Sequence, residues 1–198
     1  MEIFDYIGSR LSDEYETSYL HNSIVYKDAF TLCLAIFERE WPNIQKLKDK
    51  QQLLYCDALI HTSNTKPPKY KEFERVLPDI PTFFRNAVVK NSLEVLTNYY
   101  KVANQNDEEE PDNRKILKAE VKDSKFPVNL KDDNRTNKYN PYVLQIEFLC
   151  NSYWKWVNME LDRTFVDKIR SVYHSQKIPD PMVCKVNDEW IILVKYKR

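Results

Sequence analysis

In the stretch Tyr142-Val143-Leu144-Gln145-Ile146-Glu147-Phe148-Leu149, Tyr142, Leu144, Ile146 and Phe148 alternate strictly with Val143, Gln145, Glu147 and Leu149. Successive side chains of an extended strand point to opposite faces, so this period of two predicts a β-strand with one apolar side. Outward from it toward the C-terminus, a turn is expected near Asn151-Ser152. A second strand is expected through Trp154-Lys155-Trp156-Val157-Asn158-Met159. Asp162 or Thr164 can then cap a helix holding Phe165, Ile169, Val172 and Tyr173. After Pro179-Asp180-Pro181, residues 182–186 and 190–196 read as a hairpin around Asn187-Asp188-Glu189.

Toward the N-terminus the period changes to that of a helix. Within residues 22–60, Tyr26, Ala29, Phe30, Cys33, Ile36 and Phe37 recur at spacings of three and four, the apolar stripe of an amphipathic helix. Trp41-Pro42-Asn43 is expected to break it, because proline lacks a donor and restricts the residue before it. Asn43 would cap a second helix carrying Ile44, Leu47, Leu54 and Ala58. Residues 62–81 form a polar, proline-punctuated loop, and connections that long tend to be functional or disordered. A further helix from about Pro81 carries Phe84, Val88, Asn91, Val95, Tyr99 and Val102 on one face. The acidic run Asn106-Asp107-Glu108-Glu109-Glu110-Pro111-Asp112 reads as a solvated linker. The fold class expected is therefore α+β, with residues 1–105 helical and residues 114–198 antiparallel and β-rich around one inserted helix. Residues 1–21 display no evident strand.

Composition narrows the chemistry. The chain of 198 residues is 42% hydrophobic and 30% charged, as in a globular protein. No apolar run approaches the roughly 20 residues that span a bilayer, and Met1-Glu2-Ile3-Phe4-Asp5 lacks the regions of a signal peptide. A cytoplasmic address is expected, so the Asn134-Arg135-Thr136 sequon carries little weight. Cys33, Cys56, Cys150 and Cys184 are scattered, and with His21, His61 and His174 they offer no zinc-ligand spacing. They read as buried thiols, and no metal or cofactor is expected. The single glycine, Gly8, excludes a P-loop, a dinucleotide fingerprint and a nucleophile elbow, each of which needs several. Formal net charge is zero, yet unevenly spread: residues 1–30 hold six acids and two bases, whereas residues 61–90 hold six bases and three acids. A neutral protein can still present a basic face.

Four segments carry a family resemblance. Ile80-Pro81-Thr82-Phe83-Phe84-Arg85-Asn86-Ala87-Val88-Val89 is similar to the phenylalanine-proline-serine-tyrosine-leucine-arginine-arginine-alanine-alanine-isoleucine pattern of the TnpB (OrfB) transposon-associated proteins, and runs ungapped to Leu93 and Tyr99. His61 to Lys66 and Lys69-Tyr70-Lys71-Glu72-Phe73 resemble stretches that precede that pattern. Trp154-Lys155-Trp156-Val157 resembles a tryptophan-x-tryptophan strand, and residues 190–196 resemble the strand closing the region. Asn86 departs from the pattern, standing where the family has a second arginine.

The resemblance implies RNA-guided DNA endonucleases related to type V CRISPR effectors, with a helical recognition lobe inserted into an OB-like wedge domain. In such systems base pairing reads sequence while protein reads RNA shape and a short DNA motif. The match stops at Arg198, where the family's RuvC-like nuclease would follow, so the chain is expected to bind without cutting. The implied partners are guide RNA, target DNA and a possible separate RuvC-like chain, and no membrane. A protein-interaction or regulatory module, or a truncated transposase remnant, is the alternative. Arg85 and Lys90 are the candidate DNA contacts, through base edge or phosphate. Lys66, Lys69 and Tyr70 join charge to a stacking ring suited to unpaired RNA. Lys155 is expected to point outward from a strand whose Trp154 and Trp156 pack inward as core, the alternative being a ligand-facing pair.

Overall fold

The computed structural model describes residues 4–62, 66–106, 124–132, 140–173 and 180–197. The acidic run from Asp107 to Asp112, the 134–136 sequon and His174 lie outside them. The chain divides into two units, one formed by residues 1–24 with 123–198 and the other by residues 25–122. It is thus α+β, a helical part followed by an antiparallel sheet region, with one strand ahead of the helices.

That strand, β1 (Phe4–Arg10), pairs antiparallel with β7 (Glu189–Lys197) over its whole length. It corrects two expectations: residues 1–21 do hold a strand, and the residues up to Ile24 group with the β-rich unit rather than with the helices. The segment escapes notice because Tyr6, Gly8 and Arg10 do not read as one face of a strand. A Cβ at Gly8 would meet Leu193 Cδ2 at 2.7 Å and Ile191 Cγ2 at 3.1 Å, so those side chains would have to shift to admit one.

The rest of this unit follows the alternation in its sequence. β4 (Val143–Cys150) buries Leu144, Ile146, Phe148 and Cys150. Asn151 and Ser152, both at positive φ (53° and 67°), turn it into β5 (Tyr153–Glu160), the backbone that a two-residue hairpin loop requires. β6 (Met182–Val186) and β7 are joined in the same way by Asn187 and Asp188, at φ 49° and 65°. The short strands β2 (Lys125–Pro127) and β3 (Asn129–Lys131) flank Val128. β2 pairs with β6 and β3 with β4, so the chain passes from one sheet into the other there. The sheets run β1-β7-β6-β2 and β3-β4-β5.

α1 (Glu16–Ile44) opens in this unit. Its Tyr19 is buried among Phe148, Trp190 and Phe126, with ring centroids 5.5, 5.7 and 6.3 Å away, and burial raises its phenol pKa. Asn22, fully buried, donates to Leu149 O (2.6 Å) and accepts from Leu149 N (3.0 Å), filling the backbone positions that a neighbouring strand would fill. α5 (Arg163–Val172) is capped by Asp162, whose carboxylate accepts from Thr164 N and Phe165 N, and it buries Phe165, Val166 and Ile169.

In the helical unit α1 continues through Pro42 to Ile44, contrary to the expected break at residues 41–43. Pro42 falls in the last turn, where only one hydrogen bond is lost and Gln45 N still donates to Trp41 O. α2 (Asp49–Ile60) follows Lys48, not Asn43. The Gln52 amide donates to Ile44 O at the end of α1 and to Leu47 O in the turn that follows. The 62–81 loop contains a short helix, α3 (Glu72–Val76), with Phe73 buried. α4 (Thr82–Asn106) buries Phe84, Val88, Val89, Leu93 and Leu96. This is a stripe rotated from the one read in the sequence, leaving Val102 exposed. Tyr26 meets Phe84 edge to face and its hydroxyl accepts from Asn91, while Trp41 stacks on Tyr100 at 4.6 Å. All four cysteines are free thiols, and burial pushes that of Cys56 up to about 12.

Candidate nucleic-acid interface

The helical unit holds five of the six residues expected to contact nucleic acid, among them Lys69, Tyr70 and Arg85. Glu40, 4% exposed, faces the loop after α2. One of its oxygens accepts from Lys69 Nζ (2.5 Å) and Tyr70 OH (2.6 Å), the other from Tyr55 OH (3.0 Å) and Asn43 Nδ2 (3.2 Å). The lysine and these hydrogen bonds hold the Glu40 carboxyl at about 2, well below its ordinary range. Arg39 and Lys69 both lie near the Tyr70 ring, 5.8 and 5.5 Å from its centroid. The loop is also fixed by its backbone, Tyr70 N donating to Leu59 O, and by Glu74, which accepts from Thr62 N and Oγ1 and meets His61 Nδ1 at 2.9 Å. Lys69 and Tyr70 are therefore brought together, around an internal carboxylate.

Arg85 is 11% exposed and donates from Nε to Asp57 Oδ1 at 2.9 Å, tying α4 to α2. Lys90, on the same helix, and Lys66, ahead of the Glu40 cluster, are exposed. Lys155 belongs to the other unit.

In that unit the three-stranded sheet has an outward face that sequence reasoning did not assign. Residues directly opposite in an antiparallel pair share a face. Glu147 stands opposite Trp156 and Asn129, Gln145 opposite Asn158 and Lys131, and Leu149 opposite Trp154. Leu130, Ile146, Val157 and Met159 take the buried side. The tryptophans are thus not core: Trp154 is half-buried and Trp156 is 40% exposed. Lys155 stands opposite Phe148, on the core-side alternation, and reaches solvent toward the hairpin end. The outward side chains are mutually arranged. Lys131 Nζ lies 6.0 Å from the Trp156 ring centroid, Gln145 Nε2 donates to Asn158 Oδ1 (3.1 Å), and Asn129 Nδ2 donates to Glu147 Oε2 (3.2 Å).

This face was within reach of the sequence. With Leu144, Ile146 and Phe148 inward and a two-residue turn at Asn151-Ser152, the register places Trp156 against Glu147, on the outward side.

A model of the Aq_aa04 family matches residues 9–141. The chain belongs to the Aq_aa04 family. The region matched to Aq_aa04 takes in the Glu40 cluster and the Arg85–Asp57 pair and ends ahead of β4 and β5. No curated protein matches the chain. Among the described residues, no group of three or more histidine, cysteine or acidic side chains is placed to hold a metal ion, and no helix is long and apolar enough to cross a membrane.

Proposed function

We propose that this protein is a non-catalytic nucleic-acid-binding module, the recognition and wedge half of an RNA-guided nuclease of the TnpB and type V kind. It would hold guide RNA and target-flanking DNA while a separate RuvC-like chain cuts. The helical unit lies in the chain between β1 and β2, which accords with a recognition lobe inserted into a wedge domain. The strand that changes sheets at Val128 supports an OB-like reading of the β-rich unit.

The observation that carries the proposal is Trp156, a large ring held in solvent on a sheet face beside Trp154, Lys131 and a row of amides. Aromatic side chains on an exposed sheet are platforms for unpaired bases, each stacked base contributing about 1–3 kcal/mol. Lys131, 6.0 Å from the Trp156 ring centroid, would meet a backbone phosphate. Because that face carries Glu147 and Glu160 beside Lys131, its charge favours a second reading, a surface for a protein partner.

Fluorescence anisotropy with a labelled single strand of about ten nucleotides and the matching duplex separates the two readings. The single strand should bind better. Trp156→Ala should weaken it by roughly tenfold, a loss of about 1–3 kcal/mol, while the protein melts within about 1 kcal/mol of the parent. Binding untouched by Trp156→Ala would sink the proposed site. A protein that takes up no strand at all, but loses a co-purifying protein on the same substitution, would establish the second reading.

A further inference from the structure

We infer that the unpaired base held on Trp156 is guanine, its Watson–Crick edge read by the Glu147 carboxylate; this rests on the nucleic-acid reading above. Glu147 is the cross-strand neighbour of Trp156, and such pairs have Cβ atoms about 4.5–5.5 Å apart. A base lying on the indole therefore presents its edge toward that carboxylate. Asn129, opposite Glu147 on its other side, holds Oε2 at 3.2 Å, and among the described residues Oε1 accepts from no group.

The chemistry of a carboxylate selects among the bases. Ionised, it only accepts hydrogen bonds. Guanine offers it two adjacent donors, N1–H and the N2 amine. Cytosine and adenine each set one amine beside a ring-nitrogen acceptor, and uracil or thymine flanks its one N–H with two carbonyls. In a duplex that edge of guanine is consumed by pairing, so the same residue that chooses guanine also demands a single strand. The negative charge faces the base edge, while Lys131 supplies the only positive charge among the outward residues paired with Gln145 and Glu147.

The second tryptophan sets the footprint. Trp154 and Trp156 are two residues apart on β5, about 6.6–6.8 Å, twice the roughly 3.4 Å rise of a stacked strand. Each ring therefore takes its own base from a strand drawn out along β5. Trp154 faces Leu149 across the hairpin, so the base on it is not the one that Glu147 reads.

The test uses the full chain and labelled pyrimidine oligomers, as RNA and as DNA, with one central guanine, inosine, adenine or cytosine; free guanosine monophosphate competes against each. The guanine oligomers should bind about tenfold tighter than the adenine or cytosine ones, with inosine, which lacks the N2 amine, in between. Glu147→Gln should bring guanine down to the level of the others or below, with adenine and cytosine bound no more weakly than before, because the amide oxygen accepts from Asn129 and an N–H donor then faces the base. Trp156→Ala should weaken all of them. Free nucleotide competing as well as the oligomers would overturn the extended-strand footprint. Equal affinity for all bases, still lost on Trp156→Ala, would overturn guanine selection and leave the stacking surface standing. If no oligomer binds, both fall.

Discussion

Replacing Glu40 with glutamine should lower the stability of the helical unit by about 2–3 kcal/mol at neutral pH, and the loss should shrink in acid. The carboxyl is held at about 2 against an ordinary value of 4.5, a difference of about 2.5 units. At about 1.4 kcal/mol per unit this is about 3.5 kcal/mol, reduced to about 2–3 kcal/mol because Lys69 is 58% exposed and its charge is partly screened. Since the folded-state value is the lower one, the contribution is complete above about pH 5 and drains away as pH falls through 4.5 toward 2. By pH 3 about two fifths of it remains. Urea unfolding followed by far-UV circular dichroism, on parent and Glu40→Gln at pH 7 and pH 3, reads the two gaps directly. A gap that stays constant between the two pH values would mean that the effect is packing rather than charge. No gap at pH 7 would show that Lys69, Tyr70 and Tyr55 do not hold the carboxylate.

Two other substitutions test the division between scaffold and surface. Arg85→Ala strips Asp57 of its partner and should cost about 1–3 kcal/mol in denaturant unfolding while leaving oligonucleotide affinity unchanged; lost affinity in a fully stable variant would return Arg85 to the binding surface. Asp162→Ala removes the acceptor for Thr164 N and Phe165 N and should cost about 1 kcal/mol, seen as a lowered Tm and largely restored by Asp162→Asn, with binding intact.

The C-terminal half was the most legible in sequence because its elements are set by local rules. Alternation in residues 142–149, the Asn-rich turns at Asn151 and Asn187, and the Asp162 cap each specify structure within a few residues. The helical unit was legible as helices but not in its ends. Pro42 sits where the last turn of α1 tolerates a missing donor, and the start of α2 is set by Gln51 and Gln52 reaching back to Lys48 N and to Ile44 O and Leu47 O. Such tertiary and cross-turn bonds leave no periodic trace.

Sequence alone determined that the protein is α+β, that β4 has one apolar face, and that the chain lacks the glycines a phosphate-binding loop needs. Tertiary structure decided which neighbours the charged and aromatic residues have. Lys69, Tyr70 and Arg85 look like ligand contacts in a linear reading, and Trp154 and Trp156 look like core; Glu40 and Asp57 claim the first group from 29, 30 and 28 residues away. The tryptophans are turned outward by a register that buries Val157 and Met159 instead. The physical reason is the same in both cases. A side chain's role depends on what lies opposite it, and partners distant in the chain are brought opposite only by packing and strand register.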